Sequence, residues 1–130
     1  MSNSTDFRSL KVYQISYALA MEVFLLTKDF PKEELYALTS QIRRSSRSIA
    51  ANIGEGYRKR IYPNHFRTKM TDADGETSET IVHLDFSKDC GYISAEKHAD
   101  LIKRYEEVGR MLGGMIEHPE KFLPKQNKGG

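Results

Sequence analysis

The chain has 130 residues (14.9 kDa), of which 38% are hydrophobic and 29% charged, with a formal net charge of +2. That size fits one domain, and so low an apolar fraction points to a narrow core with a large surface. One cysteine, Cys90, excludes an intrachain disulfide and a multi-cysteine metal site. In chain order, residues 1–6 show no periodicity and are expected to be disordered. A first helix is predicted from about Leu10 to Lys28, with Val12, Ile15, Leu19, Val23 and Leu26 at heptad-like spacing. The pair Phe30-Pro31 interrupts it, because the residue before a proline resists helical geometry. A second helix begins at Pro31, or after a short break near Thr39, and carries Leu35, Leu38, Ile42, Ile49 and Ile53. Gly54 and Gly56 are expected to end it. A third starts near Pro63, a favourable first-turn proline, and presents Phe66, Met70, Ala73, Ile81 and Leu84. Gly75 is its weakest point, since glycine costs about 1 kcal/mol against alanine inside a helix. Cys90 is expected to pack at its end.

The fourth helix follows Gly91-Tyr92-Ile93, with Ser94 as N-cap and Glu96 in the first turn. Its seam is Leu101, Tyr105, Val108, Leu112 and Met115. Residues 118–130, with Pro119, Pro124 and a Gly-Gly end, read as a disordered tail. The folded unit is therefore expected over 7–117. With no strand pattern and short connections, the predicted fold is all-α, an antiparallel up-down-up-down four-helix bundle.

The opening Met-Ser-Asn-Ser-Thr-Asp has neither a basic start nor an apolar run behind it, so no signal peptide is expected. The apolar stretch 17–26 is broken by Glu22 and is too short to span a bilayer. A cytoplasmic protein without membrane contact is the expectation.

Charge is distributed unevenly. Residues 43–69 hold eight lysines and arginines against Glu55 alone, so the mean understates a local positive field. Within Gln41 to Gly56, two stripes share helical spacing. Ile42, Ile49 and Ile53, with Ser45 or Ser46, form a core seam. Beside it run Gln41, Arg44, Ser48, Asn52 and Glu55, read as a structural polar network. A half-buried guanidinium needs an acidic partner, and Glu55 and Glu79 are the candidates for Arg44. Off that stripe, Arg43 and Arg47 lie one turn apart and are expected to project together. Arg58, Lys59 and Arg60 follow in the connection, flanked by Tyr57 and Tyr62. Cations attract phosphate without regard to sequence, and tyrosine stacks on an unpaired base. These seven residues are the candidate nucleic-acid-binding set, with a solvated basic loop as the plainer reading.

No catalytic residues, cofactor or metal are expected. None of the eleven glutamates is followed by histidine at the third position, as a di-iron bundle requires. Asp72, Asp74, Glu76 and Glu79 form an acidic cluster open to Mg²⁺, but a solvated face or pairing with the basic segment explains them more simply. Ser94 and Lys97 spell Ser-x-x-Lys, yet Ser94 stands where a helix cap belongs. His65, His83, His98 and His118 are scattered.

Three places carry a family resemblance: Gln41-x-x-Arg44-x-x-x-Ser48-Ile49-x-x-Asn52-Ile53-x-Glu55-Gly56, Gly91-Tyr92-Ile93, and Val108-Gly109-Arg110-Met111-Leu112. Over roughly residues 7–116 the chain resembles the bacterial four-helix-bundle proteins encoded in intervening sequences of 23S rRNA. It is similar in character to the accessory protein of diversity-generating retroelements. One departure is Glu76, standing where a small serine is usual before the glutamate that matches Glu79. The resemblance implies a homo-oligomer, a pentamer, without catalytic activity. It also implies association with RNA or DNA through basic surfaces and, as in the retroelement relative, with a reverse transcriptase or another protein. A protein-interaction scaffold docking an acidic partner is the alternative.

Overall fold

The computed structural model describes residues 6–124. The expectations for residues 1–5 and 125–130 lie outside the described residues. Four long helices follow in order: α1, Lys11–Thr27; α2, Ser40–Arg58; α3, Pro63–Asp89; and α4, Ala95–Glu117. They form an all-α four-helix bundle, and among the described residues there is no strand.

The contacts give each helix its direction. The start of α2 meets the end of α1, where Arg43 Nε donates to Thr27 Oγ1 at 2.8 Å. The end of α2 meets the start of α3 through Lys69 and Glu55, 2.9 Å apart. The start of α4 meets the end of α3, where His98 Nε2 lies 2.7 Å from Asp85 Oδ1. Arg67, early in α3, donates from Nε to Ile116 O, late in α4, at 3.1 Å. Neighbours therefore run antiparallel. Arg104 closes the ring from α4, pairing with Glu22 of α1 and with Asp100 on its own helix.

The core is a column of side chains from all four helices. Leu19 and Val23, Ile42, Ile49 and Ile53, Phe66, Met70 and Leu84, and Leu101, Tyr105, Val108 and Leu112 are its closed-off members. Each buried leucine or isoleucine contributes roughly 1.5–3 kcal/mol over exposure. The α4 seam is buried as its periodicity predicts. Elsewhere hydroxyls take core positions: Ser16, Thr27, Ser45, Ser46, Thr77, Thr80 and Ser87 are buried. Most bond to backbone one turn earlier, as Thr77 does to Ala73 O at 2.8 Å and Ser87 to His83 O at 2.8 Å. Ser45 and Thr80 also meet across the α2–α3 seam at 2.8 Å. Such small residues let two backbones approach closely, and Thr27, Ser45, Ser46, Thr77, Thr80 and Ser87 each keep a hydroxyl partner, whereas the buried hydroxyls of Ser16, Thr39 and Tyr105 have none.

Several sequence expectations are corrected. Gly54 and Gly56 do not end α2, which runs on to Arg58. They are close-approach positions: Phe7 packs on Gly54, and Lys69 and Met70 on Gly56. The helix that does end on glycine is α3. There Gly91 has φ +81°, its N–H bonds Lys88 O at 2.9 Å, and the Tyr92 N–H bonds Ser87 O at 2.8 Å. That pair of bonds satisfies two of the last carbonyls of the helix. Helix α3 passes through Gly75 unbroken. Leu35, expected in the core, is 43% exposed, and Cys90 is exposed rather than packed.

The start of α2 is the later of the two alternatives. After α1, Phe30 is buried with its ring 5.2 Å from that of Tyr92. A 3-10 turn, Lys32–Glu34, and a π-helical turn, Leu35–Thr39, lead into Ser40. Backbone geometry leaves the helical region at Tyr36 and Ala37, so the two turns and α2 are not one helix. At the other end, residues 118–124 are not a free tail. Pro119–Phe122 forms a 3-10 turn, Pro119 is buried, and Phe122 stacks on Phe66 with ring centroids 5.7 Å apart. The missed signal is one aromatic after a proline, too little to register as a periodic pattern.

Candidate nucleic-acid interface

The polar stripe of α2 faces α3. Arg44 reaches across to Glu76, at 3.3 Å, and to Glu79. Ser48 Oγ donates to Glu76 Oε2 at 3.3 Å, and Asn52 Nδ2 donates to Ser48 O at 2.9 Å. His83, one turn beyond Glu79, lies 3.2 Å from the same carboxylate. Burial pulls the Glu79 carboxyl upward, but hydrogen bonds from Arg44 and His83 outweigh it and hold the group below the ordinary 4.5. The Arg44 guanidinium is shifted upward, first by Glu79 and then by Glu76.

The structure thus brings together Arg44, Ser48, Asn52 and Glu79 from the expected network. Two members fall outside it. Glu55 pairs with Lys69 instead of Arg44, raising the lysine's pKa, and Gln41 is exposed with no side-chain hydrogen bond. The member left out of the expected network is Glu76, which the sequence placed only in the acidic cluster. Its spacing from Glu79 puts it on the same face of α3, but only the packing shows that the face meets Arg44. The acidic cluster is therefore divided, with Glu76 and Glu79 engaged by an arginine. Among the described residues, no group of three or more histidines, cysteines or acids is placed to hold a metal ion.

The candidate nucleic-acid residues separate into three groups. Arg43 and Arg47 do lie together, but over a ring. Their guanidinium carbons sit 4.9 and 5.6 Å from the centre of the Phe24 ring of α1, and Lys28 Nζ lies 4.9 Å from it. Arg43 is half-buried and bonded to Thr27, whereas Arg47 is exposed. Tyr57 is 9% exposed and belongs to the core, so its ring is not offered to a base. Arg60 is folded back onto it, 4.0 Å over the ring, with Nη1 donating to Tyr57 O at 2.9 Å. Arg58, Lys59 and Tyr62 remain exposed at the end of the bundle. The sequence interval between Tyr57 and Tyr62 hid this difference: one tyrosine ends a helix on its core face, the other stands in the turn.

Arg47 and Arg58 are eleven residues apart on one helix. At about 100° and 1.5 Å per residue, they share a face within about 20° and stand about 16 Å apart. Neither is paired with a carboxylate among the described residues, nor is Lys59. Nearby acids are engaged elsewhere, Glu76 and Glu79 by Arg44 and Glu55 by Lys69. Ser94, in contrast to the nucleophile its spacing spells, caps α4 by accepting from the Lys97 N–H at 3.0 Å.

A second exposed feature is apolar. Tyr17, Met21 and Leu25 recur every four residues on the outer side of α1, at 54%, 46% and 58% exposure. Among the described residues, no helix is long and apolar enough to cross a membrane.

No curated protein matches the chain. Among solved structures, a crystal structure of a protein with unknown function from the S23 ribosomal protein family of Bacteroides thetaiotaomicron is similar to it, at 26% identity with a TM-score of 0.73. The match covers 82% of this chain and 95% of that one. The family model described as 23S rRNA-intervening sequence protein matches residues 8–114. That span takes in the bundle from the turn before α1 nearly to the end of α4, and the chain belongs to the 23S rRNA-intervening sequence protein family.

Proposed function

We propose that this protein is a non-enzymatic, cytoplasmic accessory protein that binds RNA through basic patches repeated in a homo-oligomer, a pentamer. The observation that carries the reading is the set Arg47, Arg58 and Lys59: exposed, without carboxylate partners, on or just beyond one face of α2. Exposed cations left uncompensated while their neighbours are paired supply phosphate attraction independent of sequence. Repetition in an oligomer converts a weak patch into a multivalent surface. Self-association is supported by the Tyr17, Met21 and Leu25 stripe, a contiguous apolar surface of the kind that marks protein contacts.

A gel shift with structured RNA across a salt series tests the reading. Affinity should fall with a log–log slope of about −0.9 for each phosphate neutralised on duplex. Arg58→Glu combined with Lys59→Glu should weaken binding strongly, while Arg60→Gln changes it little. Binding indifferent to salt, or unchanged in the double variant, defeats it. A second reading is a scaffold whose same exposed cations, Arg47, Arg58 and Lys59, dock an acidic protein partner such as an enzyme subunit. That reading expects little RNA binding at moderate salt.

A further inference from the structure

The most exposed aromatic ring among the described residues is far from the basic turn after α2. Tyr36 is 91% exposed. It sits in the π-helical turn before α2, where the backbone leaves helical geometry, so its ring points away from the core seam. The turn is anchored on both sides. The Glu34 carboxylate accepts from the Leu38 N–H at 3.3 Å and from the Tyr92 hydroxyl at 2.8 Å. Tyr36 is therefore a ring on a fixed mount.

Beside it lies an open depression of about 660 Å³, lined by Leu35, Tyr36, Ser40, Arg43, Arg47 and Ala51 among others. Its polar character is entirely cationic or neutral, since no acid lines it. Arg44, which also borders it, is neutralised by Glu76 and Glu79. Arg43 and Arg47 are not, and their contact with Phe24 holds both guanidiniums in place before any ligand arrives. Arg43 and Leu35 also line a second depression of about 380 Å³, to which Lys28 and Lys32 contribute. The cationic surface thus continues past the first depression toward the end of α1.

We propose that this depression takes an unpaired nucleotide of a single-stranded nucleic acid, with the base on Tyr36 and the phosphate on Arg47 and Arg43. This rests on the nucleic-acid reading above and adds a strand preference to it. A flat ring and guanidiniums lining one depression match the alternation of base and phosphate along a single strand. A base inside a duplex cannot reach such a ring, because its faces are already stacked. A protein occupant fits less well: two guanidiniums without carboxylate partners in the lining demand charge that a nucleotide brings with every phosphate.

The experiment compares oligouridine and a duplex of equal length by fluorescence anisotropy, using the full chain. Tyr36→Ala should weaken oligouridine binding about tenfold, leave its salt slope intact and leave duplex binding unchanged. Arg47→Gln should reduce the single-strand slope by about 0.7. The chain has no tryptophan, so Tyr36→Trp provides a unique indole emission that oligouridine should quench. Oligouridine binding by Tyr36→Ala equal to wild type overturns the site while leaving the broader RNA reading intact. So does indole emission from Tyr36→Trp that stays unquenched in a demonstrated complex. A changed oligomer mass in Tyr36→Ala also overturns it, because the ring then belongs to a contact between copies. A wild-type protein that binds neither RNA overturns both.

Discussion

Gly56 of α2 lies so close to α3 that a β-carbon on it would overlap the terminal methyl of Met70 and stand 2.7 Å from Lys69 Cβ. Helix propensity favours alanine over glycine by about 1 kcal/mol, but overpacking a filled seam costs about 1–3 kcal/mol. Lys69 Cβ is rigidly attached to its backbone and cannot yield. Gly56→Ala should therefore lower the denaturation midpoint. Gly75, in the middle of α3, has nothing within 4 Å of such a β-carbon, and Gly75→Ala should stabilise by about 1 kcal/mol. Urea melts at one fixed protein concentration check both. Equal effects at the two positions would contradict the packing argument.

The Arg44 pairs with Glu76 and Glu79 are partly exposed, so Arg44→Ala should cost at most about 1 kcal/mol at neutral pH. The pH profile is more telling. Glu79 is held below its ordinary 4.5, so its contribution is present above that value and disappears as pH falls through the lowered folded pKa. Wild type should lose more stability below pH 4.5 than Arg44→Ala, and the two curves should converge in acid. Parallel curves would mean that Arg44 is not what holds the carboxylate ionised.

Tyr92 predicts an alkaline counterpart. Its hydrogen bond to Glu34, then burial, raises its pKa from 10.0 to about 12. A group raised in the folded state contributes stability below its unfolded pKa, and that contribution is lost as pH climbs to the folded one. Tyr92→Phe should therefore be flatter than wild type between pH 10 and 12, as followed by circular dichroism. Spectrophotometric titration should also lose one late-ionising phenol.

On α1, Met21→Glu combined with Leu25→Glu places two charges on the exposed apolar stripe and touches nothing in the core. If that stripe joins copies of the chain, light scattering should give a smaller mass while helicity by circular dichroism stays unchanged. An unaltered oligomer would move the contact elsewhere.

How much of this was legible beforehand depends on what sets each feature. The α4 seam follows from its own spacing, because Leu101, Tyr105, Val108, Leu112 and Met115 need only a helix and a core. The hydroxyl-lined seam of α2 and α3 was half visible. Ser45 and Ser46 stood on the right face, but Thr77 and Thr80 read as polar until their bonds to the preceding turn are seen. Arg44 was paired with Glu79 correctly, yet its link to Glu76 depends on the register between two helices. The hardest case was Tyr57 and Tyr62, five positions apart, where only the end of α2 decides which ring is buried. Tyr36 was missed altogether, since a turn that departs from helical spacing leaves no periodic trace.

The hydrogen bond between Ser45 and Thr80 sets a limit on motion. Helices that pack through apolar side chains alone can shift by one turn, about 5.4 Å, and find an equivalent fit. Here such a slip would separate two buried hydroxyls and carry Arg44 away from its glutamates. Helices α2 and α3 are therefore held in one register. Whatever meets the outer face of α2 cannot slide that helix along α3 without breaking the buried bond and both ion pairs.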